Sequence, residues 1–407
     1  MSRFNRTLAA LAAALACVAT AEAAQAASPT WITLDDDAYA LLRGLDAGTT
    51  PSASRTLVMS APGGLRDVLS VHAVAVDAAV LPRLSQAVHD SLHHCGGYMV
   101  HASLAEAKEA LSRIDAAPAA APSYAIDNQA TVNDLLPHID EGKVLASIQR
   151  LSDYRNRYYA SSTGVAASDW LAQAWALLGR NRSDVSVRQV THAWPQKSVV
   201  LTIRGTTAPD EIVVIGGHLD SIAGGKLAKA PGADDDASGI ASLAEVARTL
   251  IQSGYQPKRT IEFMAYAAEE EGLLGSADIA RDYATQGRNV VGVLQLDMTN
   301  YMGSIDDIYV ITDFTNAAQN AFLHDLASAY LPTLAIGETR CGYACSDHAS
   351  WNSRGYIASF PFESGFGEDN PYIHTKEDTL DKSGNVATHA AKFSRLALAY
   401  AVELGSD

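Results

Sequence analysis

With 407 residues, 48% of them hydrophobic and only 19% charged, the chain carries enough apolar material for a large core and more than one folded unit, which excludes a disordered protein. Its 46 acidic residues against 30 basic ones leave a formal charge of −16, which argues against nucleic acid or an anionic membrane as the main partner. Beyond the first segment, no apolar run is long enough to cross a bilayer.

That first segment, residues 1–26, reads "MSRFNRTLAALAAALACVATAEAAQA". Arg3 and Arg6, an alanine-rich apolar stretch and closing small residues make it a secretory signal, so the expected destination is extracellular or periplasmic. From Ser28 to Ile114 the periodicity predicts two strands, "TLVMSA" and "VLSVHAVAVD", and two helices, "LPRLSQAVHDSLHHC" and "SLAEAKEALSRI". Together they form a small α/β unit. The Ala/Pro tract from Asp115 to Asp127 is a linker by composition. In an exported chain, a small unit on a cleavable linker reads as a propeptide (28–120), an intramolecular inhibitor or chaperone of the domain 121–407, although a permanent accessory domain has the same pattern. Cys17 leaves with the signal, and an unpaired Cys95 fits a discarded segment. Cys341 and Cys345, in "CGYAC", are expected to close a small disulfide loop.

After the linker, strands and helices alternate. "SVVLTIRG", "EIVVIGG", "RTIEFMAYAA", "NVVGVLQLDM" and "DIYVITD" read as strands; "DASGIASLAEVARTLIQSG", "GLLGSADIARDYATQG" and "NAAQNAFLHDLASAYL" have helical spacing. The alternation predicts an α/β fold, a mainly parallel mixed sheet with helices on both faces. Ligands of such sheets gather at the carboxyl ends of the strands. Here those ends carry His218 and Asp220; Glu269, Glu270 and Glu271; and Asp297, while loops supply His374 and the triplet Asp234, Asp235 and Asp236. Singly, each is an ordinary core histidine, an N-cap or the acidic first turn of a helix. Together they would gather negative charge in one cleft, and a pair of zinc ions compensates it naturally, because imidazole and carboxylate suit zinc and one carboxylate can bridge two ions.

The motifs "GGHLDS", "PGADDDASGI", "FMAYAAEEEGLLGS", "QLDMTNY", "TRCGYACSDHASW" and "FESGFGEDNPYIHT", in this order between Thr131 and Gly405, resemble those of the secreted bacterial leucyl aminopeptidases. These are two-zinc exopeptidases of the zinc-exopeptidase fold, whose wider relatives include glutamate carboxypeptidases and glutaminyl cyclases. The resemblance implies that Asp235 bridges two zinc ions. His218 and Asp297 would complete one site and Glu270 and His374 the other, with Glu269 as general base and Asp220 as the partner of the His218 ring, a pairing that zinc-bound histidines commonly make. Asp234 and Asp236 are expected to cap the helix or face solvent, Glu271 to begin the next helix, and Asp347 and His348 to hydrogen-bond within their loop.

By the same resemblance, Met298, Ile311, Tyr343, Phe362 and Phe366 form an apolar pocket for the first side chain of a peptide with a free N-terminus, leucine being the natural guess. Two zincs would polarise the scissile carbonyl and activate a water. No G-x-S-x-G nucleophile elbow is present. A glutaminyl cyclase would use one zinc, which the five ligands speak against, and a noncatalytic module on this fold would have lost ligands or base.

Overall fold

The computed structural model describes residues 29–60, 66–92, 96–114, 122 and 124–406. The expected signal segment with Cys17, Cys95, and residues 115–121 and 123 of the linker lie outside the described residues.

The N-terminal unit contains β1 (Thr30–Asp35), α1 (Asp36–Leu45), β2 (Pro51–Ser60), β3 (Arg66–Val76), α2 (Leu81–Leu92), β4 (Tyr98–His101) and α3 (Leu104–Arg113). Its four strands pair antiparallel in the order β2-β3-β1-β4. Strands β2 and β3 and helices α2 and α3 match the periodic segments; β1, α1 and β4 were not expected. Strand β4 has only four residues behind Gly96 and Gly97, too few to show an alternation. Helix α1 starts where the Asp35 carboxylate accepts the Ala38 N–H at 2.8 Å.

The larger unit opens with α4 (Gln129–Leu135), α5 (Glu141–Ser152) and α6 (Ser162–Gly179). There follow β5 (Val185–Val190), β6 (Ser198–Ile203), β7 (Ala208–His218), α7 (Ala237–Gln252), β8 (Arg259–Tyr266), α8 (Leu274–Thr285) and β9 (Asn289–Gln295). The chain continues through β10 (Ile308–Ile311), α9 (Ala317–Tyr330), β11 (Ile336–Thr339), α10 (His348–Asn352), β12 (Ala358–Ser359) and β13 (Pro361–Phe362) to α11 (Ala390–Ser406). The main sheet has the order β12-β9-β7-β8-β6-β5; its first four strands are mutually parallel, and β6 and β5 join antiparallel at one edge. The strand expected from "DIYVITD" forms as β10 but leaves this sheet for a separate one with β11 and β13.

Strand β7 is apolar from Ile212 to Gly217 because both faces of the sheet are covered there. Val213 and Ile215 face the core built with α5, α7 and α11, whereas Ile212 and Val214 pack with Ile279 and Tyr283 of α8. Each such fully buried aliphatic side chain contributes about 1.5–3 kcal/mol. Because β9, β7 and β8 are adjacent and parallel, their carboxyl ends open onto one edge, and the loops after His218, Tyr266 and Gln295 converge there. Gly217 is required at this convergence, since a Cβ would stand 2.8 Å from the Leu296 carbonyl oxygen.

The N-terminal unit docks on this same edge. The Val100 N–H donates to the Gly272 carbonyl at 3.1 Å, Arg354 pairs with Glu106 at 2.9 Å, and Met99 packs among Leu273, Ala277, Phe314 and Ala349.

Candidate metal centre

Five side chains from five segments meet at the strand ends. His218 ends β7, Asp235 precedes α7, Glu270 lies in the turn after β8, Asp297 follows β9, and His374 comes from the loop after β13; all are nearly inaccessible to solvent. His218 Nε2 stands 2.9 Å from Asp235 Oδ1 and 3.4 Å from Asp297 Oδ1. His374 Nε2 stands 3.1 Å from Asp235 Oδ2 and 2.8 Å from Glu270 Oε2. Asp235 therefore turns one oxygen to each histidine.

The three aspartates of the triplet have separate duties. Asp236 accepts the Gly239 N–H at 2.8 Å and so caps α7, while also accepting the N–H groups of His218 (3.0 Å) and Met298 (3.1 Å). Both its oxygens are committed to backbone, which removes it as a ligand although it lies close to His218 and Asp297. Asp234 is buried and does not face solvent; it accepts the Asn300 N–H and the Asn370 side-chain N–H. The peptide bond between Asp235 and Asp236 is cis.

Asp220 does more than face the His218 ring, from which its Oδ1 stands 3.5 Å away. It also accepts the N–H groups of Glu269 at 3.0 Å and Glu270 at 3.3 Å, tying the histidine to the turn that carries both glutamates. Glu269 is buried beside Glu270, with its Oε2 lacking a hydrogen-bond partner. Glu271 does not begin a helix, since α8 starts at Leu274; it is buried, and burial pushes its carboxyl up to about 7 against a hydrogen bond from Tyr158. Ala268, Met298 and His374 all have left-handed backbones (φ 60°, 54° and 56°), so strain concentrates around the ligands.

Several supporting residues carried no local signal. Ser346 donates to Asp297 Oδ2 at 2.6 Å, and Asp378 accepts the Asp234 and Asp235 N–H groups, each at 3.1 Å. Arg157, fully buried, donates to the carbonyls of Leu219, Pro231 and Gly232, fastening the loops on either side of the triplet and placing a cation near Asp236 and Asp378. Only the register of acid, histidine and arginine in three dimensions reveals them. Asp347 accepts from the Gln295 side chain at 3.1 Å, but His348 forms no hydrogen bond within its loop: its ring is buried against Phe360 with both nitrogens unpartnered.

The electrostatics ask for cations. Burial, opposed by His218 and reinforced by Asp347 and Asp297, pushes the Glu269 carboxyl well above the usual range, and burial next to Asp235 pushes Glu270 up to about 7. Burial works against charge on His218 and His374, yet the surrounding carboxylates outweigh it and raise both. Nε2 of each histidine, both Glu270 oxygens and Asp297 Oδ1 are buried without a hydrogen-bond partner. Donor atoms on one tetrahedral zinc at ~2.0–2.1 Å lie ~3.3 Å apart, and the four separations above, 2.8–3.4 Å, cluster there. The chemistry and spacing of these donors fit bound metal ions.

An apolar cavity adjoins the centre. Met298, Tyr343, Phe362 and Phe366 line it, together with Phe360 and Ile373, which were not singled out from the sequence. Ile311, fully buried on β10, packs in the same cluster but does not line the cavity. Cys341 and Cys345 are disulfide-bonded and form part of this wall. Closing so short a loop is worth only ~2 kcal/mol by chain entropy. The double variant Cys341→Ser/Cys345→Ser is therefore expected to lose about that much stability in a denaturant titration while raising KM for apolar substrates more than it lowers kcat, since it loosens the wall that carries Tyr343.

The described residues contain no helix long and apolar enough to cross a membrane. Comparison with known proteins places the chain. The family model described as peptidase family M28 matches residues 198–400. A probable aminopeptidase of Saccharomyces cerevisiae is 36% identical over 292 residues, 69% of this chain and 77% of its own length. A probable leucine aminopeptidase of Arthroderma otae is 37% identical over 287 residues, covering 69% and 77%. Among solved structures, the LapA aminopeptidase of Legionella pneumophila superposes with a TM-score of 0.76 at 28% identity, over 93% of this chain and 100% of that one, an extent that takes in the N-terminal unit. The relatives are thus not confined to bacteria, and on the strength of the family match and of these identities over most of each relative's length the chain belongs to peptidase family M28.

Proposed function

We propose that the protein is a two-zinc aminopeptidase that removes the first residue of peptides and proteins with free N-termini, favouring large hydrophobic side chains such as leucine. The observation that carries this reading is the Asp235 carboxylate, one oxygen toward His218 and the other toward His374. His218, Asp297 and Asp235 would hold one ion, and Asp235, Glu270 and His374 the other. When bound there, the ions supply Lewis-acid polarisation of the scissile carbonyl and acidify a water toward neutrality. Glu269 takes the proton of the attacking water and hands it to the leaving amine. Asp220 keeps Glu269 in place through its backbone N–H and keeps the His218 ring oriented. The acidic cleft attracts the substrate's α-ammonium, and the aromatic wall takes the first side chain. Metal analysis of the purified protein, with leucyl p-nitroanilide and its N-acetyl derivative as paired substrates, tests the reading: two zinc ions per chain and chelator-sensitive cleavage of the free amine alone are expected, and cleavage of the acetylated compound would refute it.

We also propose that the chain is exported by its first 26 residues and that the N-terminal unit is an inhibitory propeptide. Helix α2 lies over the centre: the His89 ring is 4.9 Å from that of His374, and a cavity of about 430 Å³ between the units is lined by Gln86, His89, Tyr158, Glu270, Glu271 and His374. Limited proteolysis in the Asp115–Asp127 linker is expected to raise kcat/KM for a tripeptide by about tenfold or more, because a site open only a tenth of the time loses that factor in apparent affinity. Kinetics and intact mass before and after cleavage check it; unchanged activity after complete removal of the unit would sink it.

A further inference from the structure

The apolar cavity contains one residue that does not suit leucine. Among the side chains around it, Asp369 is the only charged one besides the ligand Asp297, and no cation lines it. The rest of the wall is aromatic and aliphatic: Phe360 and Phe362 stand 5.5 Å apart centroid to centroid, Phe362 and Phe366 6.3 Å, and Tyr343 and Phe366 6.1 Å. Asp369 is held at the wall by a tight turn. Gly367, with φ 89°, donates its N–H to Asp369 Oδ1 at 2.9 Å, which fixes the carboxylate where it lines the cavity.

We propose that Asp369 is a specificity-determining residue whose carboxylate receives the cationic end of a lysine or arginine in the first position, so that basic as well as hydrophobic N-terminal residues are substrates; this rests on the aminopeptidase reading above. The methylenes of a basic side chain lie along the rings as leucine would, and its charged end reaches the carboxylate. Ring faces favour the cation as well. Burial already holds the Asp369 carboxyl above its ordinary range, with Asp235 adding to the effect, so the pocket lacks positive charge and a basic substrate brings it.

Asp369→Asn tests this with little risk to folding, because the amide oxygen still accepts the Gly367 N–H. The zinc-loaded enzyme is assayed with lysyl, arginyl, norleucyl and leucyl p-nitroanilides, norleucine presenting the lysine stem without its ammonium. The expected result is that the lysyl-to-norleucyl ratio of kcat/KM falls by ~10–100-fold in Asp369→Asn while the leucyl value changes little, as loss of a charge-assisted contact implies. An unchanged ratio overturns the inference. An equal fall for all four substrates also overturns it, since the carboxylate would then be reading the α-ammonium that they share. Failure of the parent reading looks different: no aminoacyl substrate is cleaved at all by the wild-type enzyme.

Discussion

Glu269→Gln is expected to keep both metal ions and to lose ~10²–10⁴-fold in kcat, the range for removing a positioned proton shuttle. The amide preserves the shape of the turn, and the Asp220 carboxylate still receives the backbone N–H of residue 269. Glu270→Gln, one residue on, is expected to behave differently. Its carboxylate faces His374 at 2.8 Å, so the neutral amide weakens that half of the centre and metal content drops along with activity. Metal analysis and steady-state kinetics of the two variants, side by side, decide the assignment. If Glu269→Gln loses an ion while Glu270→Gln retains two, the roles of base and ligand are exchanged.

Asp235→Ala is expected to do more damage than any other single change at the centre. Each oxygen of Asp235 faces a different histidine, at 2.9 and 3.1 Å, so its removal takes a donor from both halves at once. Its loss also leaves His218 and His374, both raised by surrounding acids, without the carboxylate between them. The expected outcome is less than one tightly held ion per chain and a fall in kcat/KM well beyond the ~10–100-fold that follows from losing a partner outside the ligand set. Asp220→Asn supplies that comparison within the same protein, because Asp220 touches the His218 ring without facing a second histidine. Isothermal titration of zinc into the two apo variants measures the difference. Equal losses in both would remove the bridging role from Asp235.

The N-terminal unit packs beside the centre. It touches the larger unit at Gly272, two residues beyond Glu270, and Met99 and Ile114 pack in the cluster that includes Ala344 of the disulfide loop. Covering the centre and bracing the cavity wall are thus the work of one docked surface.

Local pattern determined much of this molecule. The largely apolar runs within β7, β8 and β9 and the helical spacing of α7, α8 and α9 are legible because periodicity reports which faces are buried, and strand ends in a parallel sheet are where ligands converge. Hence His218, Asp220, Glu269, Glu270 and Asp297 could be named as one group from the chain alone, and their convergence follows from β9, β7 and β8 being neighbours. What the tertiary structure decided is how identical residues divide their duties. By local pattern three consecutive aspartates read alike, and only the resemblance set Asp235 apart; in the structure Asp236 is spent on three backbone N–H groups, Asp234 on Asn300 and Asn370, and Asp235 is turned to the histidines. Ser346, Asp378 and Arg157 support the centre from far along the chain, β10 departs to its own sheet, and Asp369 enters an otherwise apolar wall. None of this has a period, because a side chain's hydrogen-bond partner depends on which distant backbone groups the fold brings to it, and a carboxylate becomes a ligand, a cap or a specificity element according to what surrounds it once water is gone.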